Sequence, residues 1–465
     1  MKKYLYLWPV ARIKEYKSST LTLYYLFSPE LLQQRNYKQD EKQFVINNTA
    51  VEIVSLLNGL KTFDEIIQSL AAKYSESFQS IESKVKPFMD QLTKRYGYTI
   101  MEQTEPVMQE VIISSYSNYY PSVASIELTS RCNVRCRHCY GKYGGVENQK
   151  IISLKDLYFI LDSLNEIGTS ILELTGGDPT MYPYSSEAIE KAYEVGISTV
   201  MFLTNGIYFN KKLLDTIIEN KHRLYIQIDL HSLNEEYYDW FTNSKNNLQK
   251  VKSNIDYLIN NGVRVRVCAI ITPGNVHELA DIGEWAYNHG AVSYAPAVVT
   301  ALGRATIGDA SLIFPDEEGL MEFKKQHDLV LDKHPGFIQD ITEIKEVTRK
   351  NCGAICSHVS INVNGDVKLC NMDSGDYFKL NMGNISTQSI KKVFDDNKVF
   401  LKEFMNTELP MLESDDCKDC EQNLFCTNCL LRGFIGARNM HEINKTCEWY
   451  QKIHPIVKER FPLYS

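Results

Sequence analysis

The chain has 465 residues, 44% of them apolar, and a formal net charge of −8, which predicts about three domains with a sizeable core. The acidic balance gives no support to nucleic acid or an anionic membrane as main partner; no apolar run approaches a membrane span, and Met1-Lys-Lys-Tyr-Leu-Tyr-Leu-Trp-Pro9 is too short for a signal peptide, so a cytoplasmic, soluble protein is expected. Twelve cysteines in such a chain point to metal or redox chemistry rather than disulfides, and they cluster: three at 132–139, eight from 352 to 447, and Cys268 alone.

In residues 1–105, alternating apolar residues predict strands at Val10–Tyr16, Leu21–Phe27 and Gln43–Asn47. Three helices are expected next. The first covers 48–57 and ends near Asn58-Gly59. The second opens on the capping box Thr62-Phe63-Asp64-Glu65 and gathers Ile66, Ile67, Leu70 and Tyr74 on one face. The third, 81–95, buries Val85, Phe88 and Leu92 and ends at Tyr96-Gly97. This is a compact winged-helix-like unit with no catalytic constellation. It is either a structural cap or a peptide clamp whose exposed strand edge accepts an extended peptide. Residues 106–121 read as a linker with a polar end, Ser114-Ser-Tyr-Ser-Asn-Tyr-Tyr-Pro121.

From 122 to 310, strand-like and helix-like runs alternate, the pattern of a parallel α/β sheet or barrel. Strands are expected at Ala124–Leu128, Ser170–Leu174, Thr199–Leu203, Leu224–Leu230, Val263–Ile271 and Val292–Ala295. Amphipathic helices are expected near 154–167, 186–194, 211–220, 248–260 and 277–289. Six units are too few for an eight-fold barrel; a partial barrel leaves an open side that admits a long substrate. Chemistry in such folds sits at the C-terminal ends of the strands.

The loop after the first strand is Cys132-Asn-Val-Arg-Cys136-Arg-His-Cys139, followed by Tyr140. Zinc prefers four ligands. A cubane cluster on three thiolates keeps one iron open to a small chelating ligand. Later strand ends carry Thr175-Gly176-Gly177-Asp178-Pro179, where the glycines permit close approach to a ligand, and Thr204-Asn205-Gly206. Arg266 lies between apolar residues of the fifth strand and needs a partner, a ligand carboxylate or an internal acid. Gly303-Arg304-Ala305 is another close-approach turn. Cys268 reads as a buried apolar residue.

After a bridging segment, 311–350, a second block (351–465) carries Cys352, Cys356 and Cys370, then Cys417, Cys420, Cys426, Cys429 and Cys447. Eight thiols suffice for two tetra-ligated centres, zinc ribbons or iron–sulfur clusters. Val359–Val367 predicts a hairpin with an Asn364-Gly365 turn, and Glu448–Arg460 a docking helix.

Together these motifs resemble the radical S-adenosyl-L-methionine (SAM) superfamily. The resemblance implies an α/β fold: a partial (β/α)6 radical SAM barrel between an N-terminal winged-helix-like peptide recognition domain and a C-terminal SPASM twin-cluster domain. The stretch from Val45 to Ile66 resembles the recognition element of enzymes that modify ribosomally made peptides, related to the peptide chaperone of pyrroloquinoline quinone synthesis. The cofactors implied are SAM and three 4Fe-4S clusters, one radical SAM and two auxiliary. Cys132, Cys136 and Cys139 would hold the first. Gly176, Gly177, Asp178 and Pro179 match the methionine-amine motif, with Asp where Glu is commoner. Thr204 and Asn205 would line the SAM site, Arg266 would meet the methionine carboxylate, and Tyr140 the adenine. Asp229 falls at the ribose position, although Asp229-Leu-His231-Ser232 departs from the usual Ser-Leu-Asp.

Family pairing would put Cys417, Cys420, Cys426 and Cys447 on a distal cluster. Cys352, Cys370 and Cys429 would hold a proximal one, with Cys356 as an optional fourth ligand. The whole is similar to sactionine synthases, which use a 5′-deoxyadenosyl radical to join a cysteine sulfur to an α-carbon of a precursor peptide bound through its leader. A reductant such as flavodoxin or ferredoxin is implied. Thioethers to β- or γ-carbons, carbon–carbon crosslinks, formylglycine formation and a non-catalytic zinc-bound peptide carrier are the alternatives. No side-chain general base stands out.

Overall fold

The computed structural model describes residues 2–8, 11–17, 22–27, 43–94, 96, 98–109, 111–117, 119–145, 149–306, 309–314, 316–338, 351–380 and 382–464. Val10, Leu21, Arg95 and Gly97, where expected elements begin or end, lie outside these, as does 339–350 of the bridging segment. The chain divides into two units, Met1–Asn118 and Tyr119–Ser465.

The first unit runs β1 (Tyr4–Trp8), β2 (Ala11–Lys17), β3 (Thr22–Phe27), β4 (Gln43–Ile46), α1 (Asn48–Leu56), β5 (Asn58–Thr62), α2 (Phe63–Tyr74), α3 (Phe78–Lys94), β6 (Thr99–Gln103) and β7 (Val111–Ser117). The expected capping box is present: Glu65 N–H donates to Thr62 Oγ1 at 3.3 Å and Thr62 N–H to Glu65 Oε2 at 3.0 Å. Ile66, Ile67 and Leu70 form the buried face of α2, and they share one core with Leu5, Ile13, Val54, Val85 and Leu92.

The three expected strands are β2, β3 and β4, and they form the sheet β4-β3-β2-β7, with β4 and β7 outermost; the sheet β5-β1-β6 and the strand β7 were not evident from local pattern. The supposed linker therefore contains a strand: β7 pairs in parallel with β2, Ala11 opposite Val111. That pairing is remote in sequence, so no local periodicity announces it.

The second unit contains the six expected βα-type strands: β8 (Val123–Thr129), β9 (Ile171–Gly176), β10 (Thr199–Thr204), β11 (Leu224–Asp229), β12 (Arg264–Ile271) and β13 (Ser293–Val298). Between them lie α4 (Leu154–Glu166), α5 (Ser185–Glu194), α6 (Lys211–Glu219), α7 (Glu235–Thr242), α8 (Leu248–Asn260) and α9 (Leu279–Asn288); α7 has no counterpart among the expected helices. Next come α10 (Glu317–Lys333), β14 (His358–Ile361), β15 (Val367–Lys368), α11 (Ile390–Asp396), α12 (Lys398–Met405), α13 (Asn423–Cys426), α14 (Leu430–Glu442), α15 (Glu448–Gln451) and α16 (Pro455–Lys458). The docking helix is thus two short helices, because Pro455 has no N–H to continue a ladder and opens the second instead.

The strands form one eight-stranded sheet, ordered β13-β12-β11-β10-β9-β8-β14-β15. Neighbours from β13 to β14 are parallel. The hairpin β14–β15 turns at Asn364-Gly365 as expected, Gly365 taking φ +84°. Its first strand adds to the sheet beside β8, His358 opposite Val123.

Along β8, β9 and β11 one face carries apolar residues such as Ile126, Leu174 and Ile226, all fully buried. The other carries Ser125, Glu127, Glu173, Gln227 and Asp229, and β12 adds Arg266 there. Glu127 is buried in an ion pair with Lys368 of β15 and accepts from Tyr143 Oη at 2.6 Å. Close by, Asn371 Nδ2 donates to Glu173 at 3.1 Å, and His358 Nε2 stands 3.2 Å from the same carboxylate.

Candidate iron–sulfur and SAM site

The three-thiol loop starts where β8 ends, and backbone grips it from several sides. Gly177 N–H donates to Thr129 O at 2.7 Å and Asp178 N–H to Arg131 O at 2.8 Å. A Cβ on Gly176, at φ +128°, would lie 2.2 Å from Thr129 O, and one on Gly177 would lie 2.2 Å from Arg131 O. The close approach seen at these glycines is therefore to the cysteine loop itself. Gly303, at φ +65°, repeats the device: its Cβ would stand 2.4 Å from Cys139 O. Arg304 then clamps the loop, with Nε donating to Cys136 O at 2.8 Å, Nη1 to Tyr143 O at 2.8 Å and its backbone N–H to Cys139 O at 3.0 Å. The C-terminal end of α7 takes two more of its amides, Arg137 N–H donating to Phe241 O and Arg135 N–H to Thr242 O.

Asp178 is buried, and its carboxylate is committed within the protein. It accepts from Thr180 N–H at 2.8 Å, Thr180 Oγ1 at 2.6 Å, Thr204 Oγ1 at 2.9 Å and Asn205 N–H at 2.9 Å. It thus ties the end of β9 to the end of β10, and Pro179 opens the single 3-10 turn between them. Asn205 Nδ2 reaches back to Asn133 Oδ1 at 2.6 Å and stands 3.8 Å from Cys132 Sγ.

The floor is formed by Gln227 and Asp229 of β11, opposite Arg266 and Cys268 of β12 in register. Burial, then the charge of Asp178, pushes Asp229 up to about 7. Cys268 shares this polar face with Asp229 and Arg266 as its electrostatic neighbours, so it is not part of the apolar core the sequence suggested. Tyr140 lies with Glu127, Cys139, Cys370 and Asp229 as its charged surroundings, and burial drives its hydroxyl well above the usual range.

Burial pushes the Cys132 thiol up to about 12 and Cys136 well above its ordinary value, each raised further by its fellow thiols. The protein alone therefore holds these thiols protonated. Thiolate character there calls for positive charge brought into the loop, which a metal cluster supplies. A set of closely placed thiols with no carboxylate among them suits iron–sulfur ligation.

The second block gathers into two sets. Cys417, Cys420, Cys426 and Cys447 surround a cavity of about 290 Å³. Burial and the other three thiols push Cys426 up to about 12. A Cβ on Gly436 of α14 would stand 2.2 Å from Cys426 Sγ, so glycine makes room for this set. Cys429 is the neighbouring thiol that raises both Cys352 and Cys370. Cys356 is buried and its Sγ donates to Leu401 O at 3.6 Å.

Two features escaped sequence reasoning. The Arg304 clamp was visible only as a turn, since its acceptors are backbone carbonyls that carry no sequence signal. His138 and His231 also meet here: one ring nitrogen of each and Cys136 Sγ all lie within 4.8 Å of one another.

The chain matches the Radical SAM superfamily over residues 126–286, Coenzyme PQQ synthesis protein D (PqqD) over 31–96, and the SPASM iron–sulfur cluster-binding domain over 352–429. It is 26% identical over 412 residues to the antilisterial bacteriocin subtilosin biosynthesis protein AlbA of Bacillus subtilis (strain 168), covering 87% of this chain and 88% of that one. It is 23% identical to the sporulation killing factor maturation protein SkfB of the same organism, over 44% of this chain and 50% of that one. Among solved structures, Streptococcus suis SuiB bound to S-adenosylmethionine superposes with TM-score 0.58 at 14% identity, covering 89% of this chain and 93% of that one. The likeness to SuiB is one of fold. Among the described residues no helix is long and apolar enough to cross a membrane.

Proposed function

The chain belongs to the Radical SAM superfamily, with PqqD and SPASM domains, and from that premise we propose that it installs sactionine thioethers, cysteine sulfur to α-carbon, in a ribosomally synthesised precursor peptide. The observation that carries this reading is the combination of a three-thiol loop and two further thiol sets on a chain that is similar, across 87% of its length, to a subtilosin biosynthesis protein. When bound, SAM and the first cluster supply hydrogen-atom abstraction; the rest is positioning.

Cys132, Cys136 and Cys139 would hold that cluster in a loop fixed by Gly176, Gly177, Gly303 and Arg304. With the Asp178 carboxylate turned to Thr180, Thr204 and Asn205 and the Gly177 and Asp178 amides given to the cysteine loop, backbone carbonyls of 176–179 would meet the methionine end of SAM. Arg266 would take its carboxylate, Asp229 its ribose and Tyr140 its adenine.

Cys417, Cys420, Cys426 and Cys447 would hold the distal auxiliary cluster and Cys352, Cys370 and Cys429 the proximal one. The bond from Cys356 to Leu401 O supports a three-thiolate proximal set, which leaves an iron free for a substrate thiol. In the first unit, β4 is an outer strand with Val45 exposed, beside a cavity of about 450 Å³ lined by Asn47, Ile53, Lys84, Val85 and Phe88. An extended leader segment would add to that edge. A cytoplasmic flavodoxin or ferredoxin would supply electrons.

The test is anaerobic incubation of reconstituted enzyme with SAM, reductant and a cysteine-bearing precursor peptide, followed by fragmentation mass spectrometry. Loss of a hydrogen pair per crosslinked cysteine, mapped to an acceptor α-carbon, is expected. A linkage mapped to a β- or γ-carbon would overturn the sactionine assignment.

A further inference from the structure

Behind the cysteine loop, two imidazoles have no part in the reading above. His138 lies within the loop, and His231 follows the end of β11. Their rings meet edge to face at 5.2 Å, and both pack on Phe241 of α7, His138 stacked at 4.6 Å. Aromatic packing alone would be served by phenylalanine. Two observations show that the nitrogens matter.

First, the backbone N–H of Ile270 donates to His231 Nδ1 at 3.2 Å. A neutral imidazole that accepts at Nδ1 carries its proton on Nε2, so the tautomer is fixed and His231 has an N–H to give. Second, His138 Nδ1 is a buried atom with no hydrogen-bond partner in the protein. Buried polar atoms are nearly always satisfied, so this nitrogen is left for a partner at the cysteine loop, its thiolate or the cluster that thiolate would hold. One ring nitrogen of each histidine lies within 4.8 Å of Cys136 Sγ.

We propose that His138 and His231 are positioning residues for the first cluster, N–H donors to the sulfur of Cys136 and its surroundings that raise the reduction potential of that cluster. The proposal rests on Cys132, Cys136 and Cys139 being its ligands. A hydrogen bond to a ligand sulfur stabilises the extra negative charge of the reduced state, so removing it makes reduction harder.

The experiment is an EPR-monitored redox titration of reconstituted holoenzyme without peptide, following the signal that changes on SAM addition. His231→Phe and His138→Phe keep an aromatic ring and delete the donor. His231→Gln returns an amide N–H near the place of Nε2. Expected in the phenylalanine variants is full iron and sulfide content and unmoved auxiliary signals. The SAM-responsive cluster should be about tenfold less reduced at the wild-type midpoint, a shift of ~59 mV for a one-electron couple. His231→Gln should recover most of this. If His231→Phe fails to load, His138→Phe and His231→Gln still carry the comparison. Loaded variants that titrate at the wild-type potential overturn the proposal. Wild-type protein with no SAM-responsive cluster would instead overturn the ligand assignment beneath it.

Discussion

Lys368→Met should be strongly destabilising, because it breaks the ion pair that links β8 to β15 across β14. Lys368 and Glu127 are 8% and 9% exposed and form an ion pair, with Tyr143 Oη as the other donor to the carboxylate. Methionine fills the volume of the lysine stem but strands a buried carboxylate on one neutral hydrogen bond. Breaking a buried pair from one side costs about 3–5 kcal/mol. At an unfolding entropy of ~2 cal/mol/K per residue, a unit of this size should lose roughly 1.4 °C per kcal/mol, hence about 4–7 °C in all. Calorimetry on cluster-loaded protein reads this directly. Glu127→Leu combined with Lys368→Met should recover most of the loss, because no charge is then left alone. A shift under about 1 °C for Lys368→Met, or a double variant no better than the single, would refute the reasoning.

Arg304→Ala removes the donors to Cys136 O and Tyr143 O; iron and sulfide analysis after reconstitution should show loss confined to the first cluster, with both auxiliary signals retained. Cys356→Ala should leave iron content unchanged, whereas Cys429→Ala should cost one auxiliary cluster; equal losses would make Cys356 a ligand. Asp229 is raised from 3.8 to about 7 in the folded protein. The folded state therefore binds the extra proton between those values, and the associated stability is full below the lower one and lost as pH climbs through the upper one. Asp229→Asn should be more stable than wild type by up to about 4 kcal/mol near pH ~8 and nearly equal to it near pH ~4, read from urea midpoints. A difference independent of pH would count against it.

The repeated strand–helix units were legible because each strand and each amphipathic helix declares itself through local periodicity. The first cysteine loop was legible because its spacing is itself local, whereas the placing of Cys429 with Cys352 and Cys370 rather than with Cys426 was implied only by the resemblance. What escaped was remote pairing. β14 joins β8 through Val359 and Ala124, and nothing near either residue encodes the other. β7 was hidden for the same reason, its partner β2 lying at the far end of the unit. Helix α7 was missed because Glu235–Thr242 is short and rich in aromatics, yet its final carbonyls cap the cysteine loop. Gly176, Gly177 and Gly303 were recognised as points of close approach, but the partner they approach could be named only once the loop was in place.

The attachment of β14 beside β8 bears on the order in which the protein is built during synthesis. β8 is the strand that leads into the first cysteine loop, and its outer edge stays unpaired until His358 and its neighbours have left the ribosome. At ~5–20 residues per second that interval is on the order of ten seconds or more. Throughout it, the loop bearing Cys132, Cys136 and Cys139 is flanked by an open strand edge, accessible both to the machinery that delivers iron and sulfide and to mispairing with another nascent chain. Slow translation between the two blocks would lengthen the exposure of that edge.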